Sequence, residues 1–254
     1  MTNTPKQPAP DADESAFLAA YDAAEFPHPS VTVDVAPMTT ADGGLHALLV
    51  RRADHPAKGK WALAGGFVGM KESLDQAAER VLATKAGLSG IFLEQLYTFG
   101  DVDRDPRTRV ITVAYYALVE DAKLRRAKPA AGEVTVARID VPWDGETGGP
   151  VRALDAEGQE LPLAFDHADV LGLVVRRLRG KLDYAPLGGE LLPRKFTLRQ
   201  LQEVHEAVLG RKLNKDSFRR SVLHRRLVTA TGELEKDVPY RPAELYRYAK
   251  TRGA

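Results

Sequence analysis

The sequence predicts an α/β fold followed by a second, smaller helical domain at the C-terminal end. Three observations carry this expectation. Segments of alternating polarity recur between residues 30 and 141, as half-buried strands do. A glycine-bearing stretch at Gly65, Gly66 and Gly69 runs into a helical repeat of Leu74, Ala77, Ala78, Val81 and Leu82, which Gly87 closes. Finally, residues 190–254 hold 15 Lys and Arg against 8 Asp and Glu, a charge of +7, while the rest of the chain carries −6. A split of that kind suggests that one part meets a polyanion.

The elements follow in order. Residues 1–15 are polar and proline-rich, and 1–25 read as largely disordered, with weak helical character over 15–26. Residues 30–37 and 45–52 read as strands joined through the turn cluster Ala41-Asp42-Gly43-Gly44, a hairpin. The glycines at 65, 66 and 69 mark a loop. Residues 91–99 and 109–119 are strands on either side of a polar loop, and 134–141 is another. Residues 143–160 read as loop or loose hairpin, and 165–179 as a helix with Asp166 a candidate N-cap. Two helices, 197–209 and 214–227, flank a glycine turn, and 228–231 with 245–248 suit a small hairpin. The domain boundaries expected are 26–165 for the α/β unit, 166–189 for a linker helix and connector, and 190–254 for the last domain.

Composition narrows the classes. With no cysteine, disulfides and thiolate metal sites are excluded, and the six histidines show no metal-ligand spacing. The longest apolar run, 110–119, is about half a membrane span, so a cytoplasmic protein is expected.

Residues 66–88, GFVGMKESLDQAAERVLATKAGL, place Gly66, Glu72, Arg80, Leu82, Gly87 and Leu88 at the spacing G-x5-E-x7-R-E-U-x-E-E-x-G-U, with U aliphatic. This resembles the Nudix box, and implies a Nudix-type α/β/α sandwich with a mixed sheet. The preceding WALAGGFV resembles the family's strand-to-loop entry, with Ala64 where proline is frequent. The three departures from the box are all glutamates, replaced by Val81, Thr84 and Lys85. In Nudix hydrolases those carboxylates hold Mg²⁺, a hard cation that requires oxygen ligands. Here the formal charge of the three positions moves from −3 to +1. At about 100° per residue, Asp75 and Glu79 lie on other faces of the helix and cannot stand in. No catalytic and no metal-binding residues are therefore expected, and the resemblance assigns Glu72 and Arg80 to bracing the loop against the helix.

The loop at 99–107 carries Arg104 and Arg107, whose guanidinium forks suit diphosphate oxygens. The stretch YTFGDVDRDPRTRVITVAYYALV resembles Nudix-related regulators of NAD metabolism, the NrtR family, whose effectors are ADP-ribose and related nucleotides. On that resemblance the candidate ligand-binding residues are Arg52, Trp61, Gly65, Gly66, Phe67, Glu72, Arg80, Arg104 and Arg107. Trp61 and Phe67 can each stack on a base or pack in the core.

Residues 191–248 resemble the winged helix-turn-helix of the same family. Leu198, Leu201, Val204, His205 and Val208 form a core stripe on the first helix, with Phe218, Val222, Leu223 and Leu227 inward on the second. His205 reads as a packed core or boundary residue. That leaves Lys215, Asp216, Ser217, Arg219, Arg220 and His224 outward on a recognition helix. Lys195, Thr197 and Gln200 suit phosphate contacts at a helix N-terminus, and Arg241 and Arg247 belong to the wing. The expectation is a homodimeric repressor of NAD-metabolism genes on a palindromic operator, requiring no cofactor and sensing ADP-ribose or a related nucleotide diphosphate. The alternatives are a Mg²⁺-dependent ADP-ribose pyrophosphatase with an accessory winged helix, and a DNA-bound scaffold that senses nothing.

Overall fold

The computed structural model describes residues 12–129, 131–182 and 188–249. In chain order the elements are α1 (Ala12–Ala20), β1 (Ser30–Ala41), β2 (Gly44–Arg51), β3 (Trp61–Ala62), β4 (Ala64–Phe67), α2 (Leu74–Val81), β5 (Glu94–Phe99), β6 (Val110–Leu118), α3 (Asp121–Arg125), β7 (Val134–Asp140), β8 (Arg152–Leu154), β9 (Glu160–Leu161) and α4 (His167–Lys181). They are followed by α5 (Gly188–Leu191), α6 (Leu198–Leu209), α7 (Lys215–His224), β10 (Val228–Leu234) and β11 (Glu244–Tyr248).

One sheet runs in the order β5-β6-β1-β2-β7-β8-β9, with β4 on β1 and β3 on β2. It is mixed, because β1 pairs parallel to β6 and antiparallel to β2 and β4. The period of two along β1 divides its side chains between two cores. Val33 and Val35 face α2 with Ala77, Ala78, Val81 and Leu82. Ala36 and Met38 face α4, where Val170, Leu171, Val174, Val175 and Leu178 are fully buried. Burial of each such side chain contributes on the order of 1.5–3 kcal/mol. The α/β/α sandwich is thus present, and α4, within the segment 166–189 expected as linker helix and connector, supplies its second helical layer; residues 183–187 of that segment lie outside the described residues. Gly172 permits that seating, because a Cβ there would meet the Gly149 carbonyl at 1.9 Å.

The α2 N-terminus is closed by a reciprocal capping box between Ser73 and Gln76. Its last turn, Leu82–Ala86, widens to π-type and ends at Gly87, φ 68°. Tyr115 donates to Asp75 at 2.8 Å, tying the helix to the sheet.

Several expectations are corrected. Residues 12–20 form an exposed helix, α1, which begins ahead of the weak helical character read over 15–26 in a segment read as largely disordered; residues 1–11 lie outside the described residues. Gly65 and Gly66 are strand residues opposite Asp34 and Val33, and only Gly69 is in the loop. Asp166 stands at the N-cap position of α4 without a side-chain cap bond, because its carboxylate is engaged by Arg104. The 143–160 stretch, by contrast, holds a hairpin strand, β8, paired with β7 and β9, in line with the loop or loose hairpin read there.

The winged helix has its own core of Phe196, Leu201, Phe218, Val222, Val228 and Tyr246. Leu223, expected inward, is 39% exposed. Val204 and Val208 of α6 join the α4-side core of the sandwich, so the two domains share apolar contacts. Arg179, buried at the end of α4, donates to the carbonyls of Val208 (3.0 Å), Trp143 (3.2 Å) and Gly145 (2.8 Å). No helix among the described residues is long and apolar enough to cross a membrane.

Candidate effector cleft and nucleic-acid interface

A cleft of about 400 Å³ opens where β1, β2 and β4 meet the 100–107 loop and the entry to α4. Arg52, Gly65, Gly66, Phe67, Arg104 and Arg107 all line it. Three expected residues do not. Trp61 is 8% exposed and belongs to the α4-side core, since its β3 position pairs with Arg51 and turns the indole inward. Glu72 and Arg80 pair with one another beside the cleft, through Arg80 Nε–Glu72 Oε2 at 2.9 Å. Arg80 also donates to the Phe67 carbonyl at 3.0 Å, and Glu72 accepts the Gly69 N–H at 2.6 Å. Those bonds hold the Glu72 carboxyl at about 2, mostly through Arg80. This pair braces the loop against the helix.

The arginines differ in state. Arg104 is turned inward, its side chain 5% exposed, and bonds Asp166 twice (2.9 and 2.7 Å) and Asp34 at 3.4 Å. Burial opposes its charge, but the two carboxylates prevail and raise its pKa. Arg107 forks onto Asp105 at 3.0 and 2.8 Å and lies 5.5 Å over the half-exposed Phe67 ring. Arg52 donates to the Pro56 carbonyl at 2.8 Å and lies 4.7 Å over the Phe165 ring. Phe67 and Phe165 therefore offer aromatic faces at the cleft, each already beside a cation.

The positions of the missing glutamates are occupied differently. Val81 is buried against Gly66, leaving 3.0 Å to a Cβ built there. Thr84 donates to the Arg80 carbonyl at 2.8 Å, closing the helix on itself. Lys85 is exposed as a residue, but its ammonium turns into the cleft and donates to the Gly65 carbonyl. Burial, and then Arg52, lower its pKa.

Residues not singled out from the sequence complete the cleft. Asp34, 6% exposed, passes so close to Gly65 that a Cβ would meet its Oδ1 at 2.1 Å. His167 is buried, and its Nδ1 accepts the Leu63 N–H at 2.9 Å. That bond fixes a neutral ring with the proton on Nε2, 3.7 Å from Asp34, and burial lowers its pKa. Phe165 has φ 53°, unusual for a bulky residue, at the turn into α4. Asp34 carried a readable signal, a carboxylate within a strand of otherwise apolar and small residues.

In the C-terminal domain Lys215, Asp216, Ser217, Arg219, Arg220 and His224 are all exposed on α7, as are Arg241 and Arg247 in the wing. Asn214 caps α7 by accepting the Ser217 N–H at 3.0 Å. The α6 N-terminus differs from expectation: Thr197 is 4% exposed and shares a capping box with Gln200, so both side chains serve the helix. Lys195 reaches across to Glu233 at 2.6 Å, tying this segment to the wing. Glu206 accepts from Gln202, Lys212 and the Leu213 N–H, fixing the turn that aims α7, and these bonds hold its carboxyl at about 2. His205 packs edge-on against Phe218 at 5.1 Å.

Two family models match the chain: the NUDIX domain over residues 28–144 and the NrtR DNA-binding winged helix domain over 188–248. An ADPR responsive transcriptional repressor, NtrR, of Acinetobacter baylyi is 36% identical over 240 residues, covering 94% of this chain and 89% of its own. The crystal structure of Shewanella oneidensis NrtR complexed with a 27mer DNA superposes with a TM-score of 0.68 at 34% identity, covering 86% of this chain and 93% of that one. The NUDIX domain of the same protein complexed with ADP ribose gives 0.52 at 34% identity, covering 65% and 98%. With both domains matched in order and a relative of this identity along nearly the whole chain, the protein belongs to the NrtR family of Nudix-related transcriptional regulators.

Proposed function

We propose that this protein is a DNA-binding repressor of NAD-metabolism genes whose operator affinity is set by ADP-ribose, or a related nucleotide diphosphate, in the Nudix cleft. The observation that carries the reading is the course of α4. At its start Asp166 is held by Arg104 of the cleft, and near its end Arg179 holds the Val208 carbonyl in the last turn of α6, the helix that precedes the reader. A diphosphate that competes with Asp166 for Arg104 acts directly on a helix packed against both domains. Coupling then requires only that the ligand favour one seating of α4 over another.

Arg52, Arg104 and Arg107 supply charge for the diphosphate, with Gly65 and Gly66 allowing close approach and Phe67 a face for a base or ribose. Glu72 and Arg80 position the loop without touching the ligand. Lys215, Asp216, Ser217, Arg219, Arg220 and His224 face the major groove, with Lys195, Arg241 and Arg247 on flanking phosphates. One ten-residue reader helix covers few base pairs, so a homodimer on a palindromic operator is inferred, in the cytoplasm. The chain is inferred to be no hydrolase, because valine, threonine and lysine replace the carboxylates that would hold Mg²⁺.

Duplexes selected by the purified protein from a random pool, then titrated in a gel-shift assay with and without ADP-ribose, test this. A ligand-dependent change in affinity is expected. Unchanged affinity at saturating ligand defeats the sensing half, and Mg²⁺-dependent release of AMP defeats the non-enzymatic half.

A further inference from the structure

The cleft does not fit a divalent cation at the position where the Nudix box would hold one. The helix offers a buried valine, a threonine whose hydroxyl donates to the Arg80 carbonyl one turn back, and a lysine. Among the described residues, no group of three or more His, Asp or Glu side chains could hold a metal ion.

Lys85 does more than vacate that position. The π-type turn at the end of α2 carries it, and such turns re-aim side chains relative to an α-helix. Its ammonium reaches back 20 residues in sequence to the Gly65 carbonyl, on the cleft floor beside buried Asp34. An ammonium has three donors, and this bond uses one. The remaining two are available in a cleft where burial, and then a neighbouring cation, disfavours the charge on Arg52 (beside Arg107) and on Lys85 (beside Arg52). Of the five cationic side chains that line the cleft, Arg51, Arg104 and Arg107 are paired with Glu133, Asp166 and Asp105, whereas Arg52 and Lys85 donate to the backbone carbonyls of Pro56 and Gly65. Assembled like charges of this kind are relieved by an anion, and a diphosphate has the charge and the acceptors to do so.

We propose that Lys85 is a ligand-binding residue that takes the place of the metal: its ammonium, with Arg52, receives the effector's diphosphate, so binding needs no divalent cation. This rests on the effector reading above and assigns a residue and a metal requirement to it.

The test is calorimetric titration of the full-length protein with ADP-ribose, in EDTA and in Mg²⁺, for the wild type, Lys85→Met, Lys85→Gln and Lys85→Arg, with melting temperatures recorded alongside. The wild type is expected to bind equally in both buffers. The neutral variants should lose on the order of tenfold or more in affinity, and Lys85→Arg should keep most of it. Strengthening of wild-type binding by Mg²⁺ on the order of tenfold, or unaltered binding by a folded neutral variant, overturns the proposal while leaving the effector reading standing. The buffer comparison needs no variant, so it decides even where a substitution unfolds the chain. No binding of ADP-ribose by the wild type in either buffer overturns the effector reading, and this proposal with it.

Discussion

Arg104 and Asp166, 62 residues apart, form a two-pronged ion pair at 2.9 and 2.7 Å that fastens the cleft loop to the first turn of α4. Arg104 is almost wholly out of solvent and Asp166 is 19% exposed, so removing one partner strands a charge. Asp166→Asn is expected to cost about 3 kcal/mol, the low end for a buried pair, because Asp34 still faces the guanidinium. Urea denaturation checks this, and a loss under about 0.5 kcal/mol would mean the pair is not structural.

The other end of α4 makes a separate prediction. Arg179→Ala leaves three carbonyls without the guanidinium and removes the polar tie to α6. A loss of about 2–3 kcal/mol is expected, with the operator's response to ADP-ribose weakened more than basal operator binding. Equal weakening of both in gel shifts would argue that α4 does not transmit the signal.

Seating of α4 is testable without touching a charge. Gly172→Ala drives a methyl into the Gly149 carbonyl, and overpacking of this kind costs about 1–3 kcal/mol. Thermal melting reads it directly, and an unchanged melting temperature would mean the loop at 145–151 yields freely.

Acid should loosen the cleft before it titrates the carboxylates. His167 is buried and neutral, with its folded pKa below the unfolded value of about 6.5. The unfolded chain therefore binds the extra proton first. Stability is full above about pH 6.5 and falls as pH drops, by up to about 1.4 kcal/mol per unit, until the folded pKa is reached. Buried His46 shifts the same way and adds to the slope. Glu72 and Glu206, both held at about 2, contribute stability that is lost only below about pH 4.5. His167→Gln should flatten the dependence measured between pH 7.5 and 5.5; an unaltered slope would place its source elsewhere.

On the reader helix, Arg219→Ala and Arg220→Ala remove exposed cations. If one contacts phosphate, affinity falls across all sequences and the salt slope drops by about one; if it reads a base, about 1–3 kcal/mol of discrimination is lost at one position. Neither change, in titrations at several salt concentrations, would remove α7 from the interface.

The sequence by itself determined the two domains and their order. Residues 66–88 specify a loop, a brace and a helix through contacts at most about 22 positions apart, and Glu72 with Arg80 are found paired as the motif implies. The outward face of α7 was equally legible, because helical periodicity is local. Only the tertiary structure decided which charges are spoken for. Arg104 is internal because Asp166 and Asp34 arrive from elements 62 and 70 residues away. Trp61 packs in the core because of its register on β2, and α4 proves to be a layer of the sandwich where a tether was expected. The physical reason is common to all three. Periodicity and capping depend on near neighbours in the chain, whereas the partner of a buried charge, and the side of a sheet that a helix covers, are fixed by residues that only folding brings together.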